Sequence, residues 1–461
     1  MTKLQTIQKP RLTFWSIWTM NFGFFGIQFS FGLQQSNMSA IYSYLGADPE
    51  NLAILWLAGP VTGMIVQPII GVISDGTWSP RWGRRKPFFL IGALLASVAL
   101  IFMPFSNSLW MAAGLLWILD AANNISMEPY RAFITDKLPT EQHSLGFLMQ
   151  SFFTGLGTTL ANFMPAILVS LGFLVLTDKM ANGIPTFTYW AFGIGAFAST
   201  ASVLLSVLTT KEIPPTAEEL AYMQEEKAKG NVLSRTLKEI GDAVAEMPLT
   251  MKQLIPVQFF TWFGMFCYWQ YITLGLSSSL YGTIDPKSDY FATAQVLTGE
   301  INGAYNIVCF ALAFLLVPAA RKLGAKQVHF FSLLLGGISL LALPLLSDRV
   351  ILFSFPNPFT EASIHIPQIY LMSLGLGIAW ASMLAIPYQL LASSIPPKKT
   401  GVYMGIFNLF IVIPMIIQIF SVQYLLYDLL EHNPVNIVRL AGVCLVGGGV
   451  FTLLVKTKKI A

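Results

Sequence analysis

Twelve runs of about 20 predominantly apolar residues recur along this 461-residue chain. They centre near residues 12–35, 51–74, 87–105, 109–135, 144–172, 187–209, 254–280, 294–317, 328–346, 366–393, 401–426 and 437–455. A helix of that length crosses the hydrocarbon core of a bilayer. Inside that core every backbone N–H and C=O must find its partner within the chain, which leaves helices or closed barrels. Runs this long select helices. Composition agrees, with 54% hydrophobic and 11% charged residues, unlike a soluble domain of this length. The expectation is an all-α protein with twelve transmembrane helices.

Lysine and arginine set the orientation. One set of loops holds Arg81, Arg84, Arg85, Lys86, Lys137, Lys227, Lys229, Arg235, Lys238, Arg321, Lys322, Lys326, Lys398 and Lys399. The termini add Lys3, Lys9, Arg11, Lys456, Lys458 and Lys459, whereas the opposite loops hold only Lys179, Lys287 and Arg349. Both termini and the central loop are therefore expected in the cytoplasm, in a plasma (inner) membrane protein, and the number of spans must be even. The net charge of +4 follows from this bias and points to no nucleic-acid partner. Cys267, Cys309 and Cys444 fall within the apolar runs without metal-ligand spacing and read as small buried hydrophobes. No cleaved signal peptide is expected, because the first span is too long for one.

The longest cytoplasmic loop, 210–252, divides the chain into an N-terminal six-helix bundle, 1–209, and a C-terminal one, 253–461. A run from Thr216 to Lys227 within the loop reads as a surface helix. The halves resemble each other. The fourth run contains Pro129-Tyr130 and ends at Pro139; the tenth contains Pro387-Tyr388 and ends at Pro397. Phe22-Gly23-Phe24-Phe25 in the first run matches Phe263-Gly264-Met265-Phe266 in the seventh, and the basic loops after the second and eighth runs correspond. Duplicated halves of this kind are the plan of alternating-access carriers, with a site between repeats. The repeat breaks at its charges. Ile378 stands opposite Asp120, Ile386 opposite Glu128, Gln389 opposite Arg131 and Ser394 opposite Asp136.

That places Asp120, Glu128 and Arg131 inside one apolar run, where each charge costs roughly 2.5–3.5 kcal/mol on insertion scales. With about 100° per residue, Asp120, Asn124, Met127, Glu128 and Arg131 share one stripe, which should face a cavity. Burial disfavours the charged form of a carboxyl. Asp120 can therefore take a proton from one side and release it on the other, with a structural carboxylate as the alternative. Arg131 lies about 16 Å along the axis from Asp120, but Glu128 is three residues from it and well placed for an ion pair.

Several stretches resemble the sucrose–proton symporters of plants and their animal and bacterial relatives, within the major facilitator superfamily. They are Gly26 to Phe29, Leu33-Gln34, Gly59 to Gly63, Val66-Gln67-Pro68, Ser74-Asp75, Arg81 to Phe88, and the fourth run from Asp120 to Ala132. In the second half they are Thr261-Trp262, Ile386-Pro387-Tyr388, Leu391-Ala392, Asn408-Leu409 and Ile411 to Pro414. Plant members carry charges late in the seventh helix, where this chain reads Tyr268-Trp269-Gln270-Tyr271, and glycine where it has Glu128. The chain looks more like the bacterial branch, often linked to maltose or related α-glucosides. The resemblance implies a major facilitator fold of two pseudo-symmetric six-helix bundles and a disaccharide symporter needing no cofactor beyond the proton as coupling ion.

On this reading Asp120 carries the proton. Sugars present hydroxyls and an apolar C–H face, so their site needs amides and aromatics. Candidates are Asn21, Gln28 and Gln34, then Asn123 and Asn124, then Trp262, Trp269, Gln270 and Tyr271. Arg131 either binds sugar hydroxyls, as the resemblance implies, or is neutralised by Glu128. Glu300 is a second candidate charge, with Asn302 or Asn306 as packing partners. Asp75, Arg81, Arg84, Arg85 and Asp136 form a cytoplasmic gating cluster. Arg439 should snorkel outward, and His143, His329, His365 and His432 read as peripheral. The expected partners are a sugar and the bilayer, with a monomer as the working unit.

The alternatives are a sodium-coupled sugar symporter, a proton-linked drug or amino-acid antiporter, and a non-transporting sugar sensor. The second run holds no acid before Asp75, against a sodium site; the C-terminal half offers few charges to a charged substrate; and a sensor needs no proton carrier. No nucleophile–base set, metal cluster or phosphate loop suggests an enzyme.

Overall fold

The computed structural model describes residues 9–221, 241, 244–356, 363–392, 394–395 and 400–456. Lys3, Lys227, Lys229, Arg235, Lys238, Pro397, Lys398, Lys399, Lys458 and Lys459 lie outside the described residues. Helices coincide with all twelve apolar runs. They are α1 (Phe14–Asn21) with α2 (Gly23–Tyr44), the short α3 (Leu52–Leu55) with α4 (Ala58–Asp75), α5 (Lys86–Phe102), α6 (Leu109–Lys137), α7 (Thr140–Ser170) and α8 (Thr186–Thr209). The second half supplies α9 (Leu249–Tyr281), α10 (Asp289–Leu323), α11 (Ala325–Leu341), α12 (Leu371–Ala392), α13 (Thr400–Ser421) and α14 (Pro434–Leu453).

Among the described residues, eight helices are long and apolar enough to cross a membrane, and Ala325–Leu341 is a shorter apolar helix. The remaining long helices are α2, α6 and α9, with 22, 29 and 33 residues. Their lower apolarity comes from the candidate site residues they carry.

Two departures from the sequence expectation have local causes. The first span is broken at Phe22, because the Gly23 N–H is taken by Tyr130 Oη at 3.1 Å and Ser206 Oγ at 2.8 Å. The tenth span starts later than expected, behind an antiparallel hairpin of β1 (Ile351–Pro356) and β2 (Ser363–Pro367), so the chain is not wholly helical. Ile351, Phe353 and Phe355, one β-branched and two aromatic residues at alternate positions, favour that strand. As the sequence reading has it, Pro129 stands inside α6, which continues through it and ends at Lys137, just before Pro139.

The described residues group into two compact units that cut across individual helices. One gathers Met1–Gln34, Val61–Ala161 and Tyr189–Leu237; the other gathers Gln35–Pro60, Asn162–Thr188 and Lys238–Ala461. In the first, α5 packs on α6 at close range: a Cβ on Gly92 would sit 2.5 Å from Ala122 O. In the second, α14 packs on α9 and α11, and α12 on α10 and α11. The contact of α11 with α14 is equally tight, since a Cβ on Gly442 would lie 2.6 Å from Gly337 O. Small residues that let helix backbones approach are the usual basis of packing in membranes, where burial away from water gives no drive. The expected linker helix begins at Thr216 with a capping box, Glu219 N–H to Thr216 Oγ1 and Thr216 N–H to Glu219 Oε2. The rest of the expected run, from 222 to 227, lies outside the described residues.

Candidate functional site

Asp120 is 1% exposed, in the middle of α6. Its Oδ1 accepts from Gln34 Nε2 at 2.8 Å, while Oδ2 and Gln34 Oε1 are enclosed with no hydrogen-bond partner. The neighbouring turn continues the polar layer. Asn124 Nδ2 reaches Asp120 O at 2.9 Å and Thr62 Oγ1 at 3.2 Å, and its Oδ1 accepts from Gln67 Nε2 at 2.6 Å. Asn123 Nδ2 donates to Ser30 Oγ at 3.0 Å. Helices α2, α4 and α6 therefore meet through amides and hydroxyls around one carboxyl. Gln28 is half-buried, with Nε2 3.8 Å from Met127 Sδ. Gln34 turns out to be the partner of Asp120, and Asn21 is committed to Ile17 O at 2.8 Å.

Further along α6 the stripe becomes accessible. Glu128 and Arg131 form an ion pair at 3.9 Å, with side chains 37% and 50% exposed. Glu128 faces α4, its Cγ 3.9 Å from where a Cβ on Gly71 would lie. The pair is long and half-exposed, a geometry that adds little stability.

The basic loop before α5 centres on Arg85, which is 4% exposed. Its guanidinium meets Asp136 Oδ2 at 2.7 Å, Asp75 Oδ1 at 2.6 Å and Ser74 Oγ at 2.6 Å. Burial alone would weaken this charge, but Asp136 and Asp75 more than offset it and hold the pKa of Arg85 above its ordinary value. Arg84 Nη2 donates to Asp75 O at 2.8 Å. Arg81 does not join the cluster. It is exposed and lies over the Trp82 ring, 5.9 Å from its centroid. One residue absent from the sequence expectation completes the assembly: the Glu212 carboxylate accepts from the backbone N–H groups of Arg84, Arg85 and Lys86. Sequence reasoning missed it because a contact to backbone N–H leaves no complementary charge or motif.

In the second unit, Trp262 and Trp269 of α9 meet Trp380 of α12 edge-on, with centroids 5.7 and 5.4 Å away. Trp269 Nε1 donates to Tyr305 Oη at 3.2 Å, whereas Trp262 Nε1 is enclosed without a partner. Gln270 accepts from Gln418 Nε2 at 3.0 Å. Tyr271 is committed to packing, its Oη donating to Pro49 O at 2.9 Å. Glu300 pairs with neither expected asparagine; its Oε2 accepts from Tyr370 Oη at 2.9 Å.

The asparagine belongs to a separate uncharged network in the same unit. Asn302 joins Tyr268 Oη at 2.7 Å and Ser36 Oγ at 2.9 Å, and Ser36 also bonds Asn162. Gln295 Nε2 donates to Asn37 Oδ1 at 2.8 Å and Thr188 Oγ1 at 3.2 Å, while its Oε1 accepts from Tyr44 Oη at 2.9 Å. Residues from both sequence halves are thereby joined by hydroxyls and amides. His329 corrects the expectation of peripheral histidines, being fully buried with Nδ1 2.7 Å from Ser382 Oγ. Arg439 is exposed as expected. Among the described residues, no group of three or more His, Cys, Asp or Glu side chains is arranged to hold a metal ion.

A family model described as Major Facilitator Superfamily matches residues 20–419. Sucrose transport protein SUC4 of Arabidopsis thaliana is 26% identical over 422 residues, covering 85% of this chain and 80% of that protein. A general alpha-glucoside permease of Schizosaccharomyces pombe is 25% identical over 319 residues, or 65% of this chain and 54% of that protein. Among solved structures, the nucleoside transporter NupG superposes with a TM-score of 0.65 at 14% identity, covering 95% of this chain and 98% of NupG. A bacterial homologue of the human lysosomal transporter Spinster gives 0.63 at 14% identity, covering 96% of each chain. At such identities the structural likeness establishes the fold alone.

Proposed function

The chain belongs to the Major Facilitator Superfamily, with its twelve-helix membrane fold, and from that premise we propose that it is a proton-coupled disaccharide symporter working by alternating access. The favoured substrates are α-glucosides such as sucrose or maltose, the class named in the relatives. One observation carries the reading: Asp120 is enclosed at mid-helix, held by a single side-chain amide, with its second oxygen unpartnered. An ionised carboxylate in that setting is costly; a protonated one can donate to a sugar hydroxyl. Proton and sugar binding would then favour each other.

The rest of the cycle follows from groups already described. Two repeats, 1–209 and 253–461, joined by 210–252, would rock about the site. Arg85 with Asp136 and Asp75 would lock the basic-loop end, and the Ser36–Asn162–Asn302 and Asn37–Gln295 networks the other. On the α6 stripe that carries Asp120, Arg131 exchanges Glu128 for a sugar hydroxyl. The protein would work as a monomer in the plasma membrane, with both termini cytoplasmic. Sodium coupling receives less support, because α4 carries no acid before Asp75 to join Asp120 as an ion ligand.

Uptake by proteoliposomes under an imposed pH gradient tests the proposal, with sucrose, maltose, trehalose and glucose as substrates. Uphill accumulation of a disaccharide that collapses with the gradient is expected. Movement of amino acids but no sugar would replace this reading with an antiporter, and sugar binding without flux would replace it with a sensor.

A further inference from the structure

Glu212 lies three residues beyond the end of α8, yet its carboxylate closes over the start of α5. Arg84 N–H donates to Oε2 at 2.8 Å, Arg85 N–H to Oε1 at 3.0 Å and Lys86 N–H to Oε1 at 2.9 Å. These three groups lead into α5: Lys86 opens its first turn, where backbone donors have no partner within the helix, and Arg84 and Arg85 directly precede it. The N-cap position is held by Arg85, whose side chain has no acceptor, and α5 has no side-chain cap of its own. Glu212 supplies that cap from a distant segment, with a charge that suits a helix N-terminus.

Two further features show that the turn is built around this carboxylate. Gly83 has φ +81°, and a Cβ there would lie 2.6 Å from Glu212 Cδ, so any other residue would collide with the clamp. Lys86 Nζ donates to Thr210 O at 2.8 Å, a second tie between the same two segments. The residue held most completely is Arg85. Its N–H is fixed by Glu212 while its guanidinium reaches Asp136 and Asp75. The backbone position of Arg85 decides whether both carboxylates are within reach.

We propose that Glu212 is a positioning residue for the ion-pair lock: by clamping the Arg84–Lys86 backbone it presents Arg85 to Asp136 and Asp75, and it couples the lock to the segment leaving α8. The proposal rests on the gating role given to that lock in the transport cycle above and deepens it.

Amide hydrogen exchange on the full chain in detergent reads the clamp without any substrate. Glu212→Ala should speed exchange at Arg84–Lys86 by about tenfold or more, the scale of one charge-assisted hydrogen bond. In vesicles, Glu212→Gln should change sugar turnover by about twofold or more with KM unchanged, the least coupling expected within one network. Combined with Arg85→Met it should add nothing to the change in turnover, because Glu212 acts on the lock through Arg85. Unchanged exchange at Arg84–Lys86, or additive effects in the double variant, would overturn the proposal. Wild-type vesicles that move no sugar would count against the transport reading, and the exchange result would still decide the clamp.

Discussion

Gln34 and Asp120 form a single-ended contact: Gln34 Nε2 donates to Asp120 Oδ1 at 2.8 Å, and the remaining oxygen of each side chain is enclosed without a partner. Gln34→Leu would leave the whole carboxyl without a side-chain donor. An unsatisfied buried polar group costs about 1–3 kcal/mol. Gln34→Leu should therefore melt earlier than wild type and transport more slowly; a variant unchanged in both would remove Gln34 from the site.

The ion-pair lock makes an uneven prediction for four substitutions in and beside it. Breaking a buried pair costs about 3–5 kcal/mol when one charge is left behind. Arg85→Met, however, removes the buried charge and leaves only the part-exposed Asp75 and Asp136, so the loss should fall below that range. Asp136→Asn leaves Asp75 to hold Arg85 and should cost less still. Arg85→Lys should not restore the lock, because a point charge cannot reach both carboxylates and Ser74 as the planar fork does. Arg81→Ala should lie within about 0.5 kcal/mol of wild type, as expected at an exposed position. Thermal melting orders the four, and an Arg81 effect as large as that of Arg85 would contradict the assignment.

Close helix contacts predict which glycines are replaceable. A Cβ on Gly442 would meet Gly337 O at 2.6 Å, whereas one on Gly63 meets nothing within 4 Å. Gly442→Ala should destabilise by about 1–3 kcal/mol through overpacking, and Gly63→Ala should be tolerated. Equal melting temperatures for the two variants would refute the packing argument.

The Glu128–Arg131 pair separates stability from function. At 3.9 Å and half exposed, it should contribute about 0–1 kcal/mol. Glu128→Gln should barely change melting, and Arg131→Ala should raise KM for the sugar without unfolding the protein. A large loss of stability with unchanged KM would make the pair structural.

How much of this was legible in the sequence depended on the physics involved. The helices follow from apolar runs long enough to cross a bilayer, and their break at Phe22 does not, because it arises from Tyr130 and Ser206, far away in sequence. Asp120 stood out because a carboxyl in an apolar run has few explanations, and the Arg85–Asp136 contact followed from opposite charges at facing helix ends. Gln34 was visible as an amide, but its partner was not. Arg81 was grouped with Arg84 and Arg85 by adjacency, which does not show which arginine is buried. The β1–β2 hairpin, His329 with Ser382, and Glu212 on backbone N–H groups all depend on contacts between distant segments. Trp380 was indistinguishable from the many aromatics of an apolar helix until its neighbours Trp262 and Trp269 were seen.

The central claim is that the Asp120 carboxyl exchanges a proton as the pathway changes sides. Proteoliposomes loaded with labelled disaccharide, with and without an imposed pH gradient, compare wild type and Asp120→Asn directly. The account predicts that wild type accumulates sugar only with the gradient, and that Asp120→Asn exchanges sugar across the membrane but does not concentrate it. Undiminished uphill uptake by Asp120→Asn would contradict it.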